Sequence, residues 1–386
     1  MMGRRIGMGL VGPGFIARHH IDAVRRLGDV DVVAIAGSSQ PAAERKAQQW
    51  HIDRAYGSFD ELLRDPRVEV VHNTTPNHLH FAMTLAALRA GKHVISDKPL
   101  ARTSAQAREL CEVARAARVA NVVTFNYRGN PLVQQARSTI AAGDAGAVTF
   151  VHGCYLQDWM SDPNVYSWRS DPACGGVSSA LADVGSHWCD LAEHVSGLRI
   201  EAVLAELSTV VQERYVAGHS AEAFAATSGA RKAAVKVSGE DLACVLLRFT
   251  NGARGSLSVG QVLPGHKNDL QLEVSGRKLS LRWRQENPAE LWVGAHDQPN
   301  RTMTQDPSGP SEAARNYTRL PSGHQQGWAD AFANVIADAY AWIRLGGTPE
   351  TQPSLLATFA DGYRSTRLVE AMIASHAAGG VWRKLD

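Results

Sequence analysis

Several absences narrow the class of protein that this sequence of 386 residues can encode. Its five cysteines are odd in number, scattered and without a Cys-x-x-Cys pair, which favours free thiols in a reducing cytoplasm over a disulfide framework or structural zinc. No uninterrupted apolar run approaches the ~20 residues of a membrane-spanning helix. Lys and Arg number 40 against 38 Asp and Glu, so no strong basic field indicates a nucleic-acid partner. We therefore expect a cytoplasmic globular protein that binds neither a membrane nor nucleic acid.

Clustered metal ligands are also lacking. His19-His20 and His78-x-His80 resemble metal-binding pairs, but no carboxylate or thiolate cluster accompanies them. The sequence therefore predicts no metal site.

The length and the first part of the chain indicate two domains, the first of them α/β. A chain of this length exceeds what one hydrophobic core ordinarily serves. Strand and helix patterns alternate up to residue 125, which implies right-handed crossovers and a parallel, doubly wound sheet. We place one domain at residues 1–125 and a second at 126–386. The strands are expected at 6–11, 30–36, 68–73, 93–96 and 120–125, and the helices after residue 12 and at 41–50, 82–90 and 104–117.

A glycine-rich turn, Gly12-x-Gly14-x-x-Ala17, links the first strand to the following helix. Gly12 allows a tight turn, Gly14 lets the backbone approach a pyrophosphate, and Ala17 is small enough for helix-on-strand packing. The helix N-terminus adds free N–H donors and a partial positive charge. The motif is weak alone, but the strand before it and the helix after it are the context that dinucleotide binding requires.

The end of the second strand bears on the choice of dinucleotide. An NAD-binding fold normally has Asp or Glu about 20 residues after the glycines, on the adenosine ribose. This chain has Gly37-Ser38-Ser39 there, so no carboxylate repels a 2′-phosphate and two hydroxyls can donate to one. Arg45 and Lys46 can supply charge, unless they are simply solvated helix residues. The pattern favours NADP over NAD and leaves both open.

Further motifs stand in a fixed order along the first half of the chain. They are Gly-Leu-Val-Gly-Pro-Gly-Phe-Ile-Ala at 9–17, Thr75-Pro76-Asn77 with His80, residues 91–100 with Asp97-Lys98-Pro99, Asn126-Tyr127-Arg128, and Gly175-Gly176 before Asp183-x-Gly185-x-His187-x-x-Asp190. From residue 5 to about 195, and more loosely to the end, the chain resembles the Gfo/Idh/MocA family of sugar and inositol oxidoreductases. The family usually has Glu where this chain has Asp97, so the carboxylate here is one methylene shorter.

The resemblance implies an N-terminal Rossmann domain and a C-terminal α/β domain built on a large open, mostly antiparallel sheet. It also implies a substrate bound between the domains against the nicotinamide. Family members generally bury the sheet face against a second subunit, so we expect a homodimer or homotetramer. The motifs and the resemblance together predict cofactor contacts from Gly12, Gly14, Phe15, Ile16, Ser38, Ser39, Arg45, Thr75, Asn77, His80, Asp97, Lys98, Asn126 and Arg169.

The second half is rich in strand patterns, which independently favours an antiparallel sheet. Asn251-Gly252 between two β-rich runs is the strongest short hairpin signal. The expected strands are 148–157, the two arms of a hairpin at 242–262, 270–274, 278–283 and 289–293. We interpret 218–237 as an irregular or mobile excursion, 297–323 as a long loop, and 325–345 and 354–376 as helices.

Asp183 and His187 are the candidate acid–base pair. They are four apart, so a helix over 180–195 would place both on one face, where a carboxylate can orient an imidazole and raise its basicity. An ordinary surface pair is the alternative, since such pairs are common. The resemblance and Lys98 together favour the catalytic interpretation.

Oxidation of a secondary alcohol requires loss of a proton and transfer of a hydride to nicotinamide C4. His187 is expected to be the general base because imidazole titrates nearest to neutral pH. Lys98 is expected to bind the reacting oxygen, or to take the proton itself if desolvation removes its charge. Asp183 would bind another hydroxyl or orient His187. Which group takes the proton stays open.

Further substrate contacts are expected from segments that should line the cleft. These residues are Arg128, Tyr155, Trp168 and His324, beside Lys98, Asp183 and His187. Arg128 and Arg169 follow aromatic residues and could bind hydroxyls, an anionic group or the cofactor. Trp159 and Trp168 could stack on a sugar ring, although tryptophan is more often found in a core or an interface.

Three functions compete at this stage. The first is an NAD(P)-dependent dehydrogenase of a sugar or cyclic polyol. The second is a redox-neutral enzyme in which tightly bound nicotinamide oxidises a sugar transiently while a glycoside is cleaved or a centre epimerised. The third is a dinucleotide-binding sensor without catalysis. The presence of Lys98, Asp183 and His187 together argues against the sensor.

Overall fold

The computed structural model describes residues 4–216, 233–352 and 354–385. The chain forms two compact units, Met1–Phe125 with Phe332–Thr366, and Asn126–Ala331 with Arg367–Asp386. The sequence-based domains at 1–125 and 126–386 stay a prediction. The segment Phe332–Thr366 belongs to the first unit because Val123 N donates to Ala357 O at 2.8 Å and Phe359 N donates to Asn121 Oδ1 at 3.1 Å.

The secondary structure includes regular elements and short turns. In chain order the strands and α-helices are β1 Ile6–Val11, α1 Phe15–Leu27, β2 Val30–Ala36, α2 Gln40–Trp50, β3 Ala55–Tyr56, α3 Phe59–Arg64, β4 Val70–Asn73, α4 Asn77–Arg89, β5 His93–Ser96, α5 Ser104–Ala117, β6 Asn121–Val123, α6 Pro131–Ala141, β7 Val148–Leu156, α7 Ser186–Ser196, β8 Ile200–Ser208, β9 Glu213–Val216, β10 Ala233–Lys236, β11 Leu242–Phe249, β12 Arg254–Gly260, β13 Asp269–Gly276, β14 Leu279–Arg284, β15 Glu290–Ala295, β16 Arg301–Thr304, α8 Glu312–Tyr317, α9 Trp328–Arg344, α10 Phe359–Ala377 and β17 Arg383–Lys384. Shorter turns are Asn126–Gly129 and Trp168–Ser170, both 3₁₀, and a π turn at Leu181–Gly185.

The first unit contains a six-stranded sheet in the order β3-β2-β1-β4-β5-β6, with every neighbouring pair parallel. Every residue of β1 is buried, as expected of a central strand covered on both faces. The chain runs outward from β1 in both directions, which confirms the predicted doubly wound fold. The order reverses between β1 and β4, so ligand-binding groups should gather at the carboxyl ends of these strands.

A chain of buried polar rings crosses the first unit. His20 Nδ1 lies 2.8 Å from His72 Nδ1, and His72 Nε2 lies 3.0 Å from the Tyr340 hydroxyl. All three side chains are fully buried. Burial lowers the pKa of His20 to about 4 and lowers the pKa of His72 well below its usual value. Both imidazoles are therefore neutral at physiological pH.

We expect this unit to lose stability in acid through His20. Its folded pKa of about 4 lies below the unfolded value of 6.5, so the contribution is complete above pH 6.5 and is lost as pH falls towards 4. The difference corresponds to about 3 kcal/mol of unfolding free energy. Denaturant unfolding of His20→Leu between pH 7 and pH 4 should show a shallower acid slope. His296→Gln, an exposed-site control, should retain the slope, and equal slopes in all three proteins would contradict the assignment.

The second unit contains a nine-stranded sheet in the order β16-β15-β14-β13-β7-β12-β11-β8-β17. The pair β7 and β12 is parallel and the other neighbours are antiparallel, which confirms the predicted mostly antiparallel sheet. Buried and more exposed residues alternate along β11, so one face is covered. Trp188 of α7 packs on that face and donates its indole N–H to Gln271 O at 2.8 Å. On the other face Phe150 is 38% exposed and Leu246 is 50% exposed.

Several expectations for the second half were wrong. Part of the expected irregular excursion is a strand, since Ala233–Lys236 pairs with Glu213–Val216, while 217–232 lie outside the described residues. The expected loop at 297–323 contains β16 and α8, whose first turn is capped by Ser311 Oγ accepting from Ala314 N at 3.3 Å. The helix expected over 180–195 begins with the π turn at Leu181–Gly185, because Ser186 N bonds to Leu181 O across five residues.

Candidate active site

The π turn places Asp183 among polar side chains of the second unit. Its Oδ1 accepts from Arg169 Nε at 3.3 Å, and its Oδ2 accepts from Gln261 Nε2 at 2.8 Å. The Asp183 side chain is 17% exposed, so the carboxylate is held by these donors yet reachable. π turns occur frequently at functional sites, since the extra residue re-aims the side chains around it.

His187 lies in the first turn of α7 against two buried phenols. Its ring meets Tyr127 edge to face, with centroids 5.1 Å apart, and lies 6.3 Å from the Tyr155 ring. The two hydroxyls are 2.5 Å apart, and Tyr155 donates to Asn268 Oδ1 at 2.7 Å. Burial raises the pKa of Tyr127 to about 12 and raises the pKa of Tyr155 well above its usual value. Both phenols therefore keep their protons at neutral pH, and their hydroxyl groups can donate hydrogen bonds.

Three carboxamides connect the phenols to Asp183. Gln157 Nε2 donates to Asn268 Oδ1 at 3.1 Å, and Gln157 Oε1 accepts from Gln261 Nε2 at 3.4 Å and Trp159 Nε1 at 3.0 Å. Gln157 and Gln261 directly follow the parallel strands β7 and β12, and Asn268 directly precedes β13. Their meeting at one sheet edge is a consequence of that strand order. We call Gln157, Gln261 and Asn268 the carboxamide edge.

Arg169 and Arg128 are held by carboxylates within the second unit. The Arg169 guanidinium bonds to Asp183 and lies 4.5 Å from the centre of the Trp168 ring. Arg128 is buried, with its Nε 2.9 Å from Asp190 Oδ2 and its Nη2 2.5 Å from Asp190 Oδ1. This two-point ion pair fixes the guanidinium within the second unit, and a substrate contact from Arg128 stays a prediction.

The other residues of this unit that were predicted to contact cofactor or substrate lie in different environments. Tyr155 belongs to the phenol pair, and Trp168 is partly exposed beside Arg169. Asn126 is buried at the start of a 3₁₀ turn. His324 is exposed on a turn in which its N–H donates to Pro321 O at 3.1 Å, and no described contact joins it to the carboxamide edge.

In the first unit the turn after β1 has the shape that a pyrophosphate needs. Gly12 has φ of +85°, and a Cβ there would approach the Thr75 backbone N at 2.6 Å, so only glycine fits. A Cβ on Gly14 would meet nothing within 4 Å, which leaves room for a ligand at the start of α1. Phe15 and Ile16 open that helix, whose first turn contains no acidic residue. The positive end of α1 is therefore available to an anion.

The turn after β2 carries no carboxylate and has little room for one at Gly37. A Cβ on Gly37 would lie 3.0 Å from Ala43 N. Ser39 caps α2, with its Oγ accepting from Ala42 N at 3.4 Å, and Ser38 and Arg45 are exposed. Lys46 differs from Arg45, because its ammonium lies 5.2 Å over the Trp50 ring.

Lys98 follows β5 in a loop that is fixed to the loop after β4. Asp97 N donates to Asn73 O at 2.9 Å, and Asp97 Oδ1 accepts from Thr124 Oγ1 at 2.8 Å. The buried His80 ring lies 2.6 Å from both Pro99 O and Thr75 O. Burial lowers the pKa of His80, although Asp97 and the two carbonyl groups raise it. Thr75, Asn77, His80, Asp97 and Lys98 thus gather at the carboxyl ends of two adjacent strands.

Comparison with known proteins agrees with both units. Residues 6–125 match the model of an oxidoreductase family with an NAD-binding Rossmann fold, and residues 133–282 match the GFO/IDH/MocA C-terminal domain. The chain belongs to the Gfo/Idh/MocA oxidoreductase family. Levoglucosan dehydrogenase of Pseudarthrobacter phenanthrenivorans is 31% identical over 391 residues, covering 97% of each chain. The resemblance inferred from the motifs is confirmed.

Solved structures share the fold of this Gfo/Idh/MocA protein. Levoglucosan dehydrogenase in complex with NADH and L-sorbose superposes with a TM-score of 0.89 at 29% identity, covering 100% of both chains. An inositol dehydrogenase homolog complexed with NAD⁺ from Azotobacter vinelandii has a TM-score of 0.87 at 27% identity, covering 99% of this chain and 98% of that one.

Two features are absent from the described ranges of this Gfo/Idh/MocA protein. Among residues 4–216, 233–352 and 354–385, no group of three or more His, Cys, Asp or Glu side chains is placed to hold a metal ion. Within the same ranges no helix has the length and apolar character needed to cross a bilayer. The five cysteines are free thiols.

Proposed function

We propose that this protein is an NAD(P)-dependent dehydrogenase that moves a hydride between nicotinamide and a secondary alcohol of a neutral sugar or cyclic polyol. The observation that carries the proposal is the joining of Asp183 to the carboxamide edge, with His187 packed beside it on Tyr127 and Tyr155. This places an imidazole and a carboxylate, the latter also bonded to Arg169, beside uncharged hydrogen-bonding groups. The dehydrogenase names of relatives across the family support the same reaction class.

The chemistry of the carboxamide edge favours uncharged hydroxyl-bearing substrates. A carboxamide both donates and accepts, which matches hydroxyl groups that also do both. Trp159 and Trp168 add apolar ring faces that suit the C–H face of a sugar ring. A phosphorylated or carboxylated substrate would need unpaired cationic donors, whereas Arg169 is engaged with Asp183.

The residues of the first unit fit a nicotinamide dinucleotide. Gly12, Gly14 and the N-terminus of α1 would hold the pyrophosphate, because a side chain at 12 is excluded and the helix end is free of acidic residues. Ser38, Ser39 and Arg45 would contact the adenosine ribose or its 2′-phosphate. The remaining proposed contacts are Phe15, Ile16, Thr75, Asn77, His80, Asp97, Asn126 and Arg169. The bound nicotinamide supplies the hydride acceptor at its C4.

The three catalytic candidates have complementary roles. His187 takes the proton of the reacting hydroxyl, and its buried ring is held in place by the two phenols. Lys98 donates a hydrogen bond to the same oxygen and stabilises its developing negative charge. Asp183 accepts from a neighbouring hydroxyl of the substrate, while Arg169 and Gln261 hold its carboxylate in one orientation.

We further propose that the protein assembles as a homodimer or homotetramer through the open face of the nine-stranded sheet. Phe150 and Leu246 lie on that face at 38% and 50% exposure, and exposed large apolar side chains are costly to leave in water. A second copy of the same face would cover it.

The cofactor proposal is that NADP is preferred, and Ser39→Asp tests it. Aspartate caps a helix as well as serine does, so the variant retains α2 while adding a carboxylate beside the 2′-phosphate position. We expect kcat/KM with NADP to fall ~10- to 100-fold, with little change for NAD. Ser58→Asp is the matched control, because Ser58 caps α3 with the same geometry. An equal effect on both cofactors would contradict the proposal.

A steady-state screen tests the function itself. The purified protein is offered levoglucosan, L-sorbose, D-xylose and inositol with NAD or NADP, and the absorbance of reduced cofactor is followed. We expect reduced cofactor to accumulate with at least one neutral sugar, and none with the corresponding sugar phosphate. Sugar consumption without accumulation would indicate redox-neutral chemistry instead. Failure to transform any neutral sugar would overturn the proposal.

A further inference from the structure

Glu240 is a buried carboxylate that binds the start of the π turn. Its Oε1 accepts from Ser178 Oγ at 2.7 Å, Ser179 N at 3.0 Å and Leu181 N at 2.8 Å. Its own backbone carbonyl accepts from Ala180 N at 3.0 Å. One residue therefore holds three consecutive backbone amides at the start of the segment that leads to Asp183.

The next amides of the segment are attached to the residues that Glu240 holds. Ala182 N donates to Ser178 Oγ at 3.1 Å, and Asp183 N donates to Ser179 O at 2.9 Å. The position of the Asp183 backbone thus depends on Ser178 and Ser179, and through them on Glu240. A carboxylate at this end of the segment also compensates the partial positive charge of backbone amides that have no partner within the helix.

The shape of the π turn makes this anchoring important for the site. In an α-helix each residue advances the side-chain direction by about 100°. If residues 181–185 changed to the backbone hydrogen bonds of an α-helix, the direction of the Asp183 side chain relative to that of His187 would change by an angle of that order. Asp183 would then leave Arg169 and Gln261, which bond to it in the π geometry.

We propose that Glu240 is a positioning residue of the active site, which stabilises the π turn and so fixes Asp183 relative to His187. This inference rests on the proposed function, because Asp183 and His187 are its proposed catalytic groups. Glu240 contacts the segment that presents them and acts on substrate only through it.

The adjacent residue provides a matched control. Asp241 is also a buried carboxylate that accepts from backbone amides, Val210 N at 2.7 Å and Val211 N at 2.9 Å. Those amides belong to the turn after β8 and not to the π turn. Removing either carboxylate leaves unsatisfied buried amides, so Asp241→Ala should cost stability as Glu240→Ala does.

The experiment compares Glu240→Ala, Glu240→Gln and Asp241→Ala in the full chain. Hydrogen exchange by mass spectrometry follows residues 178–187, fluorescence titration gives the Kd of NADH, and the fastest sugar of the neutral-sugar screen gives kcat and KM. For Glu240→Ala we expect faster exchange in 178–187, a ~10- to 100-fold fall in kcat and an NADH Kd within about twofold of the parent. Glu240→Gln retains one acceptor oxygen and should recover part of kcat.

The outcomes separate this inference from the dehydrogenase proposal. Unchanged exchange at 178–187 in Glu240→Ala would overturn the positioning role, as would a loss of kcat no greater than in Asp241→Ala at equal Tm. If the parent protein transforms none of the neutral sugars, the dehydrogenase proposal fails. The exchange comparison alone then decides whether Glu240 holds the turn.

Discussion

Replacing Lys98 by methionine should lower kcat by ~10²- to 10³-fold, the usual cost of removing one donor to a developing oxyanion. Methionine keeps the apolar stem of the side chain and removes only the ammonium group. The surrounding loop should survive, since it is tied by Asp97 to Asn73 and Thr124 and by His80 to Pro99. The rate is measured with saturating cofactor and the fastest sugar of the screen.

Lys92→Met is the matched control for this result. Lys92 precedes the same strand, and its Nζ donates to Val68 O at 2.7 Å, so its role in the fold is structural. We expect Lys92→Met to retain kcat. A Lys98→Met protein with parental kcat would contradict the role of Lys98. A rise in the NADH Kd equal to the loss of kcat/KM would assign Lys98 to the cofactor instead of the reacting oxygen.

Replacing His187 by glutamine should lower kcat by ~10²- to 10⁴-fold, the range ascribed to general acid–base catalysis. Glutamine can still form hydrogen bonds beside Tyr127 and Tyr155 but cannot take a proton at neutral pH. The measurement is kcat across pH 5 to 9. Loss of the acidic limb of that profile, together with the fall in rate, is the expected signature of a missing base.

His194→Gln is the control on the same helix. His194 is buried and lies 3.2 Å from Gln134 Nε2, so it shares the helix and the burial of His187 without its position beside the phenols. We expect His194→Gln to change Tm and leave the pH profile in place. If the acidic limb persists in His187→Gln and disappears in Lys98→Met, Lys98 is the base.

Much of the first unit follows from local sequence patterns. The strands Ile6–Val11 and Val30–Ala36 and the helix Ser104–Ala117 are found at the predicted residues, because β-branched runs and glycine or threonine boundaries mark them locally. The short elements Ala55–Tyr56 and Phe59–Arg64 were missed because segments of two and six residues are too short to show a periodic pattern of apolar residues.

The missed elements of the second unit have physical explanations. Ile200–Ser208 was not predicted as a strand because its Ala, Leu and Glu residues favour helix, and pairing with β11 overrides that preference. Pro131–Ala141 carried a usable signal, since Pro131 suits the first turn of a helix.

The candidate site was predicted in part. Asp183 and His187 stand in a recognisable motif, but their π geometry depends on Glu240, which is distant in sequence. The carboxamide edge was missed because Gln157 and Gln261 come together only through the pairing of β7 with β12. Their position immediately after strands is the signal that could have identified them.

In the first unit, an edge of the parallel sheet is covered by a segment that is synthesised much later than the strand itself. Strand β6 is one of the two edges of the parallel sheet, and a bridge from Val122 to Thr358 covers it. A nascent chain emerges from the ribosome from its N-terminus onward, so this edge stays uncovered until Thr358 has been synthesised. An exposed strand edge invites pairing with other chains. We therefore expect the chain to be most prone to aggregation, or to need a chaperone, in the interval between synthesis of β6 and synthesis of Thr358.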